Sequence, residues 1–122
     1  MILVSRDGKL SRIIIDRPDR RNALNWDMIG AVGDAIAESD ADPDCHCIVI
    51  KGTSGHFCAG RDLDAAGGAG ALVPALEADT AWTRIFHLLH RASTPTVAVV
   101  EGYAVAGGFT LAMGCDFVLA ER

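Results

Sequence analysis

An apolar run, Val97 to Val100, passes directly into the segment GYAVAGGFTLAMGCD, Gly102 to Asp116, and no other stretch restricts the fold as strongly. β-branched residues favour extended backbone in the run. Gly107 and Gly108 permit a close approach to the backbone and φ/ψ values closed to other residues. A helix-forming run follows at once. The expected unit is a strand, a tight turn and a helix whose first N–H groups point, unpaired, into the space above the strand. The positive end of the helix dipole lies there too. Such a construction suits negative charge developing on an oxygen.

The rest of the chain repeats the alternation. Met1 to Val4 and Leu10 to Ile15 flank Arg6-Asp7-Gly8-Lys9, where Asp-Gly signals a hairpin. The second run stops at Arg17-Pro18, because the residue before proline is held in its own restricted region. The polar, basic loop DRRNALN leads to a helix capped by Asn25, with Trp26, Ile29, Val32, Gly33 and Ile36 at helical spacing. Its end is expected in the turn cluster Asp40 to Pro43. Cys47 to Ile50 reads as a buried strand, and a long glycine- and alanine-rich loop runs from Gly52 to about Ala71. Trp82, Ile85, Phe86 and Leu89 mark a second helix, ended by Thr94-Pro95. A strand at TVAVV, the short helix to about Met113 and a strand at Asp116 to Ala120 complete the pattern.

Alternating helices and apolar strands predict an α/β fold with a largely parallel sheet. The 122 residues fit one domain or a piece of one. A final strand with no following helix points to a domain that continues past Arg122. Half the residues are apolar and 22% are charged, as in folded proteins, and the net charge of −5 argues against a general nucleic-acid binder. No run of ~18 apolar residues suggests a transmembrane helix. MILVSRDGKLSRIIID is too interrupted for a signal peptide, so a cytoplasmic location is expected. Cys45 and Cys47 are expected on one strand face, while Cys58 and Cys115 stand alone. That spacing does not match a zinc site; four reduced thiols and no metal are expected.

Two loops follow buried strands: SGHFCAGRDL after Ile50, and GYAVAGGF after Val100. Ligands of open α/β sheets bind outside the carboxyl ends of the strands. Two backbone amides from separate loops, aimed at one oxygen, would make an oxyanion hole. The alternative is that the glycines serve tight turns and close helix packing. Neither a P-loop nor a dinucleotide fingerprint is present, and no G-x-S-x-G supports a hydrolase nucleophile elbow.

The pair FCAGRDL and GYAVAGGFTLAMGCDFVLAER, preceded by RIIIDRPDRRNALN, resembles the enoyl-CoA hydratase/isomerase (crotonase) superfamily from about Ile13 to the last residue. The resemblance implies a crotonase-like spiral of ββα turns, of which residues 1–122 would be the N-terminal part, acting on an acyl-CoA thioester. It implies no cofactor beyond the coenzyme A carried by the substrate, no nucleic-acid or membrane partner, and a homo-oligomer, a trimer or hexamer. By position it assigns the two oxyanion donors to the backbone amides of Arg61 and Gly107. The family usually has Gly-Gly-Gly where this chain has Ala106-Gly107-Gly108. Arg21, Ala23, Leu24, Ala59, Asp62, Leu63, Tyr103 and Gly108 would line the substrate, and Arg17, Arg20 and Arg21 are candidates for the phosphates of coenzyme A.

One departure matters. Hydratases of the family place their first catalytic glutamate at the position occupied here by Thr110, and the second would lie beyond Arg122. Threonine without an activating neighbour is no general base at neutral pH. The resemblance therefore implies an enoyl-CoA hydratase or isomerase (a lyase or isomerase of fatty acid metabolism). The alternatives are an altered thioester enzyme of isomerase, hydrolase or dehalogenase type, an inactive acyl-CoA binder, or one half of a split protein. Asp62 and Asp64 are the acidic candidates beside the first loop. His56, His87, His90 and Glu101 read as turn or surface residues.

Overall fold

The computed structural model describes residues 1–62 and 72–121, with the side chains of 79–121 alone included in the second stretch. Five strands form one sheet in the order β1 (Ile2–Asp7), β2 (Leu10–Ile15), β3 (Cys47–Gly52), β4 (Thr96–Val100) and β5 (Phe117–Ala120). β1 and β2 form the antiparallel hairpin foreseen at Asp7-Gly8, with Asp7 opposite Leu10 and Gly8 at φ +59°. The other three pairings are parallel. Among the described residues, three α-helices join the strands: α1 (Trp26–Ala41), α2 (Leu72–Arg91) and α3 (Gly107–Gly114).

Asn25 caps α1 as expected, its Oδ1 accepting from the Met28 amide at 3.0 Å. The buried stripe of α1 is wider than the spacing suggested: Met28, Ala35 and Ser39 join Ile29, Val32, Gly33 and Ile36, while Trp26 is only half-buried. Ile85 and Leu89 bring α2 into the same core. α2 begins earlier than its aromatic stripe indicated. Pro74 falls in its first turn, where a proline costs no internal hydrogen bond.

The strands are buried on one face only. Ser11, Ile13 and Ile15 of β2 and Ile48 and Ile50 of β3 are enclosed, while their alternating neighbours are half-exposed. Helix residues and strand residues of that face belong to a single core cluster. β5 is exposed along its whole length, and Phe109 and Met113 of α3 are exposed with it. Cys45 is not on a strand: it precedes β3 and is buried, its thiol donating to the Cys47 carbonyl at 3.4 Å. All four cysteines are free thiols.

Polar side chains fasten the ends of these elements. Asp40, in the last turn of α1, accepts from the Ser93 and Thr94 amides and the Thr94 hydroxyl at 2.8–3.0 Å. Asp116 accepts from the Thr96 amide at 2.9 Å and returns its own N–H to the Thr96 hydroxyl at 2.9 Å, so the starts of β4 and β5 are locked together.

Candidate active site

The loops after β3 and β4 meet through backbone. The amides of Phe57 and Cys58 both donate to the Tyr103 carbonyl, at 3.0 and 2.9 Å, and the Val105 amide donates to the Cys58 carbonyl at 3.2 Å. Gly108 makes this approach possible. A Cβ there would stand 2.0 Å from the Cys58 carbonyl oxygen, so any larger residue would push the first turn of α3 away from the loop. The Gly108 amide donates to the Val105 carbonyl at 2.8 Å. Gly102, at φ +56°, passes equally close to Gly55.

Where the loops meet, Gly60 and Gly107 are in contact. A Cβ on Gly60 would lie 3.0 Å from the Gly107 nitrogen, and one on Gly107 would lie 3.5 Å from the Gly60 Cα. The next residue, Arg61, forms a parallel bridge with Leu24. In that bridge the Leu24 amide donates to the Gly60 carbonyl at 2.7 Å and the Asp62 amide donates to the Leu24 carbonyl at 2.8 Å. Leu24 thus takes the groups on either side of Arg61 and leaves the Arg61 N–H facing away. Among the described residues, neither the Arg61 amide nor the Gly107 amide donates a hydrogen bond. Gly107 opens α3, so its N–H is one of the orphan donors of a helix start.

Ala106, which caps α3, sits at φ +49° and ψ −120°, a conformation suited to glycine. The departure from a triple glycine therefore carries a backbone cost. Thr110 is exposed, and its hydroxyl donates back to the Ala106 carbonyl at 3.2 Å. Among the described residues it hydrogen-bonds no acidic side chain, and it cannot take the part of a carboxylate base.

The other sequence-derived site residues fall into two groups. Arg21 and Tyr103 come together, the Arg21 guanidinium lying over the Tyr103 ring at 5.1 Å, with the His56 ring 4.8 Å away on the same tyrosine. Leu24 lies against the first loop and is fully buried, while Ala23 bonds within its own segment, its amide donating to the Arg20 carbonyl. Ala59 is half-buried, and its backbone makes no hydrogen bond among the described residues. Asp62, by contrast, is engaged: its carboxylate accepts from Arg17 Nη1 at 2.7 Å, with the aspartate side chain almost wholly buried. Arg17 also donates to the Ala23 carbonyl at 3.2 Å. Arg17 is therefore a strut between the two segments, and Asp62 a paired anion in place of a candidate proton carrier. Leu63 and Asp64 lie outside the described residues.

Two residues beyond the sequence reading complete the site. Asn22, fully buried and at φ +61°, donates to the Thr53 and His56 carbonyls at 3.0 and 2.8 Å and accepts from the Arg17 amide at 2.8 Å. It ties the basic loop to the loop after β3; the only signal was an asparagine, tolerant of positive φ, inside a polar turn. Trp82, read as core, reaches the second loop: a Cβ on Gly107 would be 2.6 Å from its Cζ2. Burial raises the Cys58 thiol to about 11, although the Gly60 amide donates to its sulfur at 3.3 Å, so Cys58 is a packing residue and no nucleophile. Among the described residues, no group of three or more His, Cys, Asp and Glu side chains is placed to hold a metal ion, and no helix is long and apolar enough to cross a membrane.

A mostly parallel sheet whose two strand-end loops close on a helix start is the framework of a crotonase-like fold. The family model for enoyl-CoA hydratase/isomerase matches residues 6–122, and the chain belongs to that family. It is 39% identical over 121 residues to the Mycobacterium tuberculosis protein named "Probable enoyl-CoA hydratase echA8", covering 98% of this chain and 45% of that protein. It is 33% identical to the crotonyl-CoA hydratase of Syntrophomonas wolfei, covering 98% of this chain and 46% of the relative. The solved structure of Pseudomonas aeruginosa AtuE superposes with a TM-score of 0.90 at 31% identity, covering 98% of this chain and 47% of that one. The chain spans about half the length of the curated relatives it matches.

Proposed function

We propose that this chain binds an acyl-CoA thioester and stabilises negative charge on its carbonyl oxygen with the backbone amides of Arg61 and Gly107. The observation that carries this reading is the contact of Gly60 with Gly107, beside two amides that donate to nothing among the described residues. A thioester carbonyl gains negative charge as an enolate or a tetrahedral species forms. Preorganised donors in a water-poor site then stabilise that charge without reorganising, and losing one typically costs about 10²–10³-fold in rate. The arginine side chain does not interfere, because the donor is its backbone. Arg21 and Tyr103 offer a cationic and aromatic surface beside the first loop for the coenzyme A portion, the only cofactor-like group required.

Gly107→Pro removes the donor, with Gly107→Ala as the control that adds a similar Cβ against Trp82 but keeps the N–H. Turnover of an enoyl-CoA is expected to fall about 10²–10³-fold further in the proline variant than in the alanine variant. Equal turnover in the two would exclude the Gly107 amide. A second measurement needs no turnover. Titration with butyryl-CoA should shift the Arg61 and Gly107 amide protons downfield and leave the Gly108 amide, which is already bonded, in place.

A second reading has its own observation. The Thr110 hydroxyl is committed to the Ala106 carbonyl, so the position that holds the first glutamate in hydratases supplies no base here. This favours an altered thioester reaction, or acyl-CoA binding without turnover. Calorimetric binding of butyryl-CoA, with no product from a panel of enoyl-, haloacyl- and 3-hydroxyacyl-CoA substrates, would select the binder. The trimeric or hexameric assembly belongs to the same proposal and is checked by light scattering.

A further inference from the structure

Both residues that carry the candidate amides are met by one helix. α2 reaches the first loop through Asp79, whose carboxylate accepts from Arg61 Nη1. It reaches the second through Trp82, whose ring edge fills the space beside Gly107: a Cβ there would lie 2.6 Å from Cζ2 and 3.1 Å from Cη2. Asp79 and Trp82 are three residues apart and so stand one above the other on the same helix face.

The helix is fixed further along. Ile85 and Leu89 are buried in the core. Arg84 pairs with Asp34 of α1 at 2.9 Å. Phe86 meets the Trp82 ring edge-on at 5.4 Å between centroids and 77° between planes. Phe86 and Leu89 also lie against Gly114 at the far end of α3, where a Cβ would be 3.3 Å and 3.1 Å away. The Trp82 ring thus lies between Phe86 and the start of α3.

We infer that Asp79 and Trp82 form a spacer that fixes the separation of the Arg61 and Gly107 amides. This rests on the oxyanion reading given above and extends it to residues that touch neither the reacting atoms nor the donors' own N–H groups. They are positioning residues. Asp79 restrains the Arg61 side of the pair, and Trp82 blocks α3 from sliding toward α2. Arg61 and Asp79 are both partly exposed, so the pair acts by geometry more than by charge. Geometry is decisive for such donors, since a misplacement of about 1 Å can cost on the order of 10²-fold in rate.

The test is made on the 122-residue chain by NMR, without ligand first. The contact of Gly60 Hα with the Gly107 N–H should give a strong NOE in the native protein. It should weaken in Trp82→Ala and in Asp79→Asn, and return in Trp82→Phe and Asp79→Glu. An unchanged NOE in both Trp82→Ala and Asp79→Asn overturns the spacer. Should Trp82→Ala not fold, Asp79→Asn, at a half-exposed pair, decides alone by the same criterion. Butyryl-CoA then reads the site. Arg61 and Gly107 amide shifts on titration of the native chain support the oxyanion reading, and their absence sinks that reading while the NOE still judges the spacer. In the variants, where turnover is measured, kcat should fall about 10-fold or more for Trp82→Ala with KM changed less than about 3-fold. A loss confined to KM overturns the positioning role.

Discussion

The two loops that meet at Gly60 and Gly107 are held by opposite means. The loop after β3 is fastened from outside, by side chains distant in sequence: Asn22 takes two of its carbonyls, and Arg17 pairs with Asp62 at its end. The loop after β4 is fastened from within. Gly102 and Ala106 turn through positive φ, and Gly108 lets the chain pass so near Cys58 that a Cβ would lie 2.0 Å from its carbonyl oxygen. Long-range polar contacts dominate in the first loop, although Gly52 at its start also has no room for a Cβ; missing side chains dominate in the second, although the Gly102 amide also donates to Glu121 at 2.6 Å. Substitutions should therefore damage them in different ways: loss of a side chain harms the first, and gain of one harms the second.

The largest expected effect is on the second loop. Gly108→Ala places a methyl group on the Cys58 carbonyl, backbone that cannot swing aside, and the protein should lose roughly 3 kcal/mol or fail to fold. Urea denaturation is the measurement, and a loss below about 1 kcal/mol would show that the loops separate easily. Asn22→Ala should come next. It strands the Thr53 and His56 carbonyls and the Arg17 amide, and it puts alanine at φ +61°. A loss of about 2–3 kcal/mol is expected. Asn22→Gly should recover only the backbone part, because the hydrogen bonds stay missing.

A smaller effect has the opposite sign. Ala106→Gly relieves a strained φ/ψ pair at the start of α3 and should stabilise the chain by about 1 kcal/mol, after the extra entropy of glycine in the unfolded state is subtracted. A destabilised Ala106→Gly variant would mean that the turn is set by the Cβ of Ala106. If the second loop is held by backbone conformation, this is the one site in it where removing atoms helps.

The last effect concerns pH and is absent below pH 9. Burial raises the Cys58 and Cys115 thiols from 9.0 to about 11. Their folded pKa values lie above the unfolded ones, so the neutral thiol is the form the fold favours. The contribution is fully present below pH 9 and is lost as pH rises through about 11, on the order of 3 kcal/mol at most for each. Denaturation midpoints should be flat on this account up to pH 9 and then fall, with a shallower fall in Cys58→Ala. An unchanged slope in that variant would place the Cys58 sulfur in contact with solvent.

Much of this was legible in the chain. The Asp7-Gly8 hairpin, the Asn25 cap and the parallel strands follow from local preference and periodicity, and the structure has them. The segment Gly102 to Asp116 announced its strand, turn and helix start because glycine spacing records backbone conformation directly. The start of α2 was legible only as the end of the glycine- and alanine-rich loop at about Ala71, because the aromatic stripe begins ten residues later, at Trp82. Arg17 and Asp62 looked like site groups because a sequence shows charges without their partners, and 45 positions separate this pair.

The sequence by itself determined the elements, the order of the strands' connections and the glycines on which the second loop depends, since all of these rest on residues near one another in the chain. Only the tertiary structure decided that Asn22 reaches Thr53 and His56, that Asp62 is spent on Arg17, and that Asp79 and Trp82 of one helix touch both loops. Those contacts join residues 18 to 45 positions apart through hydrogen bonds and packing that carry no local pattern. A glycine tells what the backbone must do at its own position; a partner across the fold is known only once the chain has closed on it.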